Sequence, residues 1–92
     1  MKIKVVIRYC VQCNWMLRSA WLAQEILSSF SDQIDELSLQ PRSGGLFQIL
    51  IGDKIVWCRK KQKGFPDAPT IKRIFRDHLD PTRDLGHIDR KS

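Results

Sequence analysis

The chain has no uninterrupted apolar run near the ~18 residues that a membrane-spanning helix requires, so such a helix is excluded. The opening segment from Met1 to Arg8 has only a short apolar stretch and no small-residue cleavage site, so it does not read as a secretory signal. A cytoplasmic setting is the expectation, and thiols there stay reduced. With three cysteines in all, a framework of stapling disulfides is not expected. Internal repeats and low-complexity segments are also missing, and 92 residues leave room for one core. The composition is that of a globular chain, because 42% hydrophobic residues are enough to build that core.

Acidic residues are scarce. Ten Asp and Glu face sixteen Lys and Arg, which leaves a net charge of +6 and suits an acidic surface or a nucleic acid. The excess gathers at Arg59-Lys60-Lys61-Gln62-Lys63, with Lys72, Arg73 and Arg76 further on. Aromatic residues that would stack bases are not interleaved with it, since only Phe65 and Phe75 lie near. Nucleic-acid binding is therefore a minor reading, and such a charge run is more simply a solvated face.

Patterning sets out the elements. Lys2 to Tyr9 reads as a strand, with Ile3, Val5 and Ile7 alternating and Val6 adding apolar character on the other face, as in a central strand. A helix is predicted from Cys13 or Asn14 to Phe30, with a stripe of Met16, Ala20, Ala23, Leu27 and Phe30 widened by Trp15, Leu22 and Ile26. Ile34 to Gln40 reads as a second strand, and Pro41 to Gly45 as a loop. Leu46 to Ile51 and Lys54 to Arg59 flank Gly52-Asp53 and predict a hairpin, followed by a basic connection over 61–65. Asp67 is a candidate N-cap for a last helix with the stripe Ile71, Ile74, Phe75 and Leu79, which Pro81 ends. The order β-α-β-β-β-α implies an α/β (α+β) sandwich of the thioredoxin type, a mixed four-stranded sheet with two helices. It occupies residues 1–81, and 82–92 is a polar tail.

The chemistry centres on Cys10-Val11-Gln12-Cys13. The pair falls where the first strand gives way to the first helix, and free amides and the helix dipole there favour a thiolate. Two intervening residues bring the sulfurs within bridging reach, so one can attack a disulfide and the other resolve the mixed disulfide. Two other readings compete. The pair could be half of a zinc site completed from Cys58, His78 and His87, although these form no second short-spaced pair. It could equally be two inert core cysteines.

The segments Val6-Ile7-Arg8-Tyr9-Cys10-Val11-Gln12-Cys13, Gly44 to Ile51, Gly52 to Lys61 and Leu85-Gly86-His87 together resemble the selenoprotein W/T/H-like (Rdx) family, in its small bacterial, cysteine-only form. The resemblance covers nearly the whole chain in order. It implies a thioredoxin-like fold and a thiol oxidoreductase role in cell redox homeostasis. It also implies that Cys13 occupies the place where other members carry selenocysteine, so this variant reacts more slowly. Ile88 departs from the small polar residue expected in the tail.

Catalytic candidates are thus Cys10 and Cys13, held as a pair without dividing their roles. Tyr9, Val11, Gln12 and Asn14 would shape the site, with Val11 and Gln12 as an exposed tip, while Tyr9 and Trp15 read more simply as packing. Pro41 stands before the third strand as the cis-proline of thioredoxins does, but Ser43-Gly44-Gly45 intervene and the position fits poorly. Leu17 and Trp21 lie off the core stripe and, with Phe47 and Trp57, form a candidate partner surface. Cys58 alternates with Val56 and reads as a core or edge side chain. No bound cofactor and no metal is expected beyond the Cys10–Cys13 couple, with glutathione as a co-substrate. Partners would be protein or glutathione thiols and disulfides. A redox-sensing module without turnover, using Trp21 and the hairpin, is the alternative function.

Overall fold

Alternating β-branched residues at the start of the chain make the central strand, β1 (Ile3–Cys10), in the computed structural model, which describes residues 3–86. The expectations on Lys2, His87 and Ile88 lie outside the described residues. Val5, Ile7 and Tyr9 are buried on one face of β1, and Lys4, Val6 and Arg8 point to the other. β1 pairs in parallel with β2 (Ile34–Arg42) and antiparallel with β3 (Phe47–Ile51). β3 pairs antiparallel with β4 (Lys54–Cys58), giving the order β2-β1-β3-β4.

Helix α1 (Met16–Phe30) makes the crossover between β1 and β2, and α3 (Ala68–Leu79) follows the hairpin. Both cover the same sheet face. Phe30 and Phe75 meet with ring centroids 6.1 Å apart, and Lys72 Nζ lies 3.0 Å from Glu25 Oε1 across the helix pair. Val5, Ile7, Leu22, Ile26, Ile49 and Ile71 are fully buried between helices and sheet. This is the mixed four-stranded, thioredoxin-like α+β arrangement predicted by the element order. A third helix is added: the single turn α2 (Arg59–Gln62) lies within the segment read as the end of a strand and a basic connection.

Several boundaries move, each for a local reason. Asn14 adopts φ +61, a left-handed conformation that a helix cannot contain, so α1 begins at Met16 rather than at Cys13 or Asn14. The buried face of α1 is Ser19, Leu22, Ala23, Ile26 and Phe30; Met16 and Leu27, expected in the stripe, are exposed. The stripe rotates because α3 covers the side of α1 that carries Glu25, leaving the opposite side uncovered. Pro41 lies inside β2 rather than in a loop, which is tolerated because β2 is an edge strand with one side unpaired.

The hairpin is irregular. Ile49 faces Trp57 but Leu50 faces Ile55, so Val56 is an extra residue in β4. That bulge lets consecutive Val56 and Trp57 both pack against the core, and it turns Cys58 to the helix-free face beside Gln48. The expected alternation of Val56 with Cys58 fails there for this reason.

Helix α3 opens as predicted. Asp67 Oδ1 accepts a hydrogen bond from the Thr70 amide at 2.8 Å, and Pro69 sits in the first turn. The start of the tail is fastened by Arg83, which donates to Ser29 O and Asp32 Oδ2, both at 2.6 Å, and lies over the Phe30 ring. Basic residues Lys72 and Arg76 are ion-paired to Glu25 and Asp77, so they do not extend the basic patch of α2.

Buried Ser19 and buried Phe75 make opposite predictions. Among the described residues Ser19 Oγ has no hydrogen-bond partner, so Ser19→Ala should leave stability unchanged or raise it by up to about 1 kcal/mol. Phe75→Ala should lower it by about 3–5 kcal/mol, since it opens a cavity under both helices. Urea unfolding of the two variants beside the parent chain measures both.

Candidate redox site

β1 ends where its last bond to the edge strand is made: the Val11 amide donates to Arg42 O at 3.0 Å. The chain then turns tightly, with the Asn14 amide donating to Val11 O at 3.0 Å and Asn14 in its left-handed conformation. Cys10 therefore closes the strand and is 1% exposed, whereas Cys13 lies in the turn and is half-buried. Val11, at 51%, and Gln12 form the exposed tip between them, and Asn14 is exposed as well. The structure places Cys10, Val11, Gln12, Cys13 and Asn14 in one turn.

The two thiols shift each other's acidity. Interaction with the Cys13 side chain lowers the Cys10 pKa, and the amides of Gly45, Cys13 and Gln12 reinforce the effect against the cost of burial. The same interaction raises the Cys13 pKa, because its ionisation would set two negative sulfurs side by side. Cys10 is thus the more acidic member. The expected cause needs correcting. α1 starts three residues beyond Cys13, and the amides that reach Cys10 belong to the turn and to Gly45. Helix dipole influence falls off within the first turn, so turn amides rather than the helix end contribute to the acidity of Cys10.

Gly44 and Gly45 bring the opposite wall of the site close. Both adopt left-handed φ, +72 and +73, which side-chain-bearing residues rarely accept. That geometry turns the Gly45 amide toward the sulfurs while its carbonyl accepts from Arg59 Nη2 at 3.4 Å. Arg59 also stacks over Trp15, 4.8 Å from the ring centroid, and its charge draws the Cys13 pKa down against the larger upward effects. Trp15 in turn meets Phe65 edge-on at 5.0 Å, Phe65 meets Phe47 at 4.7 Å, and Arg18 lies over Phe65 at 4.5 Å.

Arg59 was not singled out as a site residue in the sequence, where it is one member of a charge run. The only local sign of this wall was the glycine pair ahead of β3. Tyr9 is buried in the core, so its packing reading stands. Pro41 pairs with Tyr9 in the sheet, and no described peptide bond is cis.

The candidate partner surface does not form as one patch. Phe47 is 1% exposed in the core, and Trp57 is half-buried against it with its indole donating to Gly64 O at 3.0 Å. Leu17 and Trp21 are exposed, but on the outer face of α1, which packs over β1 and β2, on the other half of the sheet. Cys58 is set apart as well. It is the N-cap of α2, and its thiol pKa is lowered by the amides of Lys61 and Lys60 and by the Gln48 side chain. Among the described residues no three metal-ligating side chains gather around any cysteine.

The sequence pattern of the Rdx family matches residues 4–77, which include both site cysteines. The chain belongs to the Rdx family. This Rdx protein is also similar to a selenoprotein W-related protein from Vibrio cholerae of solved structure, with 48% identity and a TM-score of 0.84 over 87% of this chain and all of that one. A second solved structure, a protein of Bordetella parapertussis, is 43% identical with a TM-score of 0.83 over 86% of this chain and the whole of the other. No curated protein matches it.

For this Rdx chain the opposite shifts of the two thiols make a signed prediction. Cys13→Ala should raise the Cys10 pKa, and Cys10→Ala should lower that of Cys13, as read by thiolate absorbance against pH. Gly45→Ala should cost at least about 1 kcal/mol in urea unfolding, because alanine is strained at φ +73.

Proposed function

We propose that this protein is a thiol–disulfide oxidoreductase in which Cys13 meets the substrate disulfide and Cys10 resolves the intermediate. The reading rests above all on one observation, a buried Cys10 and a half-exposed Cys13 held in one tight turn, with the pKa of the first lowered and that of the second raised. Acidity and access fall on different atoms. A disulfide needs an open line to the attacking sulfur, and only Cys13 has one, while Cys10 at 1% exposure is shielded.

The reaction balances with the pair as the reductant. Cys13 passes its proton to the Cys10 sulfur as its own sulfur attacks, the substrate S–S bond breaks, and the first thiolate leaves. Cys10 then attacks the Cys13 sulfur of the mixed disulfide and releases the second thiolate, and the Cys10 proton passes to one of the leaving sulfurs. Two electrons move from the pair to the substrate, and a Cys10–Cys13 disulfide remains. No bound cofactor enters these steps, and glutathione serves as a reductant that returns the pair to dithiol. The family membership and the position of Cys13 at the family's selenocysteine place support the same division.

Mass spectrometry after treatment with glutathione disulfide tests it. The parent chain should lose two hydrogens through an internal bridge, Cys10→Ser should accumulate a glutathione adduct on Cys13, and Cys13→Ser should react at least about tenfold more slowly. A rapid adduct on Cys10 in the Cys13→Ser chain would reverse the roles, and the absence of any bridge in the parent would remove the proposal.

A further inference from the structure

Cationic side chains crowd the end of the molecule that carries Cys13, and they have no acidic partners there among the described residues. Arg42 stands opposite Cys10 in the sheet register, and its guanidinium donates only to Pro41 O and Gln40 Oε1. Arg18 and Arg59 lie on the Trp15–Phe65 ring pair beside the cysteine turn. None of these three makes an ion pair among the described residues. Lys60 and Lys61 extend from α2 next to Arg59 and are exposed.

Carboxylates elsewhere are engaged or distant. Asp32 and Asp80 hold Arg83, Glu25 holds Lys72, and Asp67 caps α3. Asp35 and Asp53 sit beside the residues that pair with the opening half of β1, at the other end of the strand from Cys10.

Arg59 is the informative member. It is half-buried, and among the described residues its Nε is screened from water without a hydrogen-bond partner while Nη2 makes a long bond of 3.4 Å to Gly45 O. The Nε is out of a ligand's reach, so an anion would complete this partly desolvated guanidinium at its terminal nitrogens. The stacking on Trp15 fixes its plane, so the donors are held in place beside Cys13 through the shared Gly45 peptide. No enclosed cavity opens among the described residues, and the exposed tip between the cysteines is apolar Val11 beside Gln12. An open surface that combines apolar side chains and arginines fits an extended chain better than a small molecule.

We propose that the disulfide this protein reduces is carried by an acidic polypeptide segment, whose carboxylates pair with Arg59 and Arg18 while its backbone crosses Val11. The proposal rests on the oxidoreductase reading and adds the chemistry of its substrate. Charge at the site speeds encounter and selects the partner, and salt screens both effects.

Three disulfide-bonded peptides, identical except for Glu, Gln or Lys beside the cysteines, provide the test with the reduced full-length protein. At low ionic strength the Glu peptide should be reduced about tenfold faster than the Gln peptide and the Lys peptide slowest, with the gap closing near 0.5 M salt. Arg59→Gln and the fully surface change Arg18→Gln should each narrow the Glu-to-Gln ratio at least about twofold. Equal rates for the Glu and Gln peptides would overturn the proposal, as would glutathione disulfide, which is anionic but short, outpacing the Glu peptide. Neutral 2-hydroxyethyl disulfide separates the two failures. If it is reduced while the charge series is flat, only this inference falls; if it is not reduced either, the oxidoreductase reading falls with it.

Discussion

The juxtaposition of two unlike thiols, one buried and one open to solvent, governs what this molecule can do, and most of the local architecture serves to hold it. Cys10 is placed by the end of a central strand and Cys13 by a turn with a left-handed residue at Asn14. Amides from Gln12, Cys13 and Gly45 lower the Cys10 pKa. Removing any of these supports returns the pair toward two ordinary thiols.

The opposite wall is a second solution to the same problem. Two glycines in left-handed conformation let a loop approach the sulfurs closely, and a single peptide, that of Gly45, then faces both ways. Its amide serves Cys10 and its carbonyl serves Arg59. The aromatic chain Trp15–Phe65–Phe47 anchors Arg59 and Arg18 to the core, so the positive charges at the site are held rather than free in solvent.

Much of this was legible in the chain. Alternation marked β1, the Gly52-Asp53 turn marked the hairpin, and Asp67 with Pro69 marked the opening of α3, because each is a local rule acting within a few residues. Cys10 and Cys13 were legible as a pair for the same reason. Where the reading missed, a distant contact had overridden a local one. Met16 and Leu27 fit a helical stripe, yet α3 covers a different side of α1 and leaves them exposed. Phe47 appeared available to a partner until Phe65, eighteen positions later, folded onto it. Cys58 followed the alternation of its strand on paper, but a bulge set by pairing with β3 moved it to the other face.

Strand and helix order, the redox pair and the excess of positive charge are properties of the sequence alone, since periodicity, spacing and composition do not depend on what lies across the fold. Tertiary structure decided which thiol is the more acidic and which meets solvent, because exposure and the surrounding amides arise only once β1, the turn and the Gly45 loop converge. It also decided that Arg59, forty-six residues after Cys13, belongs to the site. No local pattern encodes that neighbour; only the sheet and its aromatic packing bring it there.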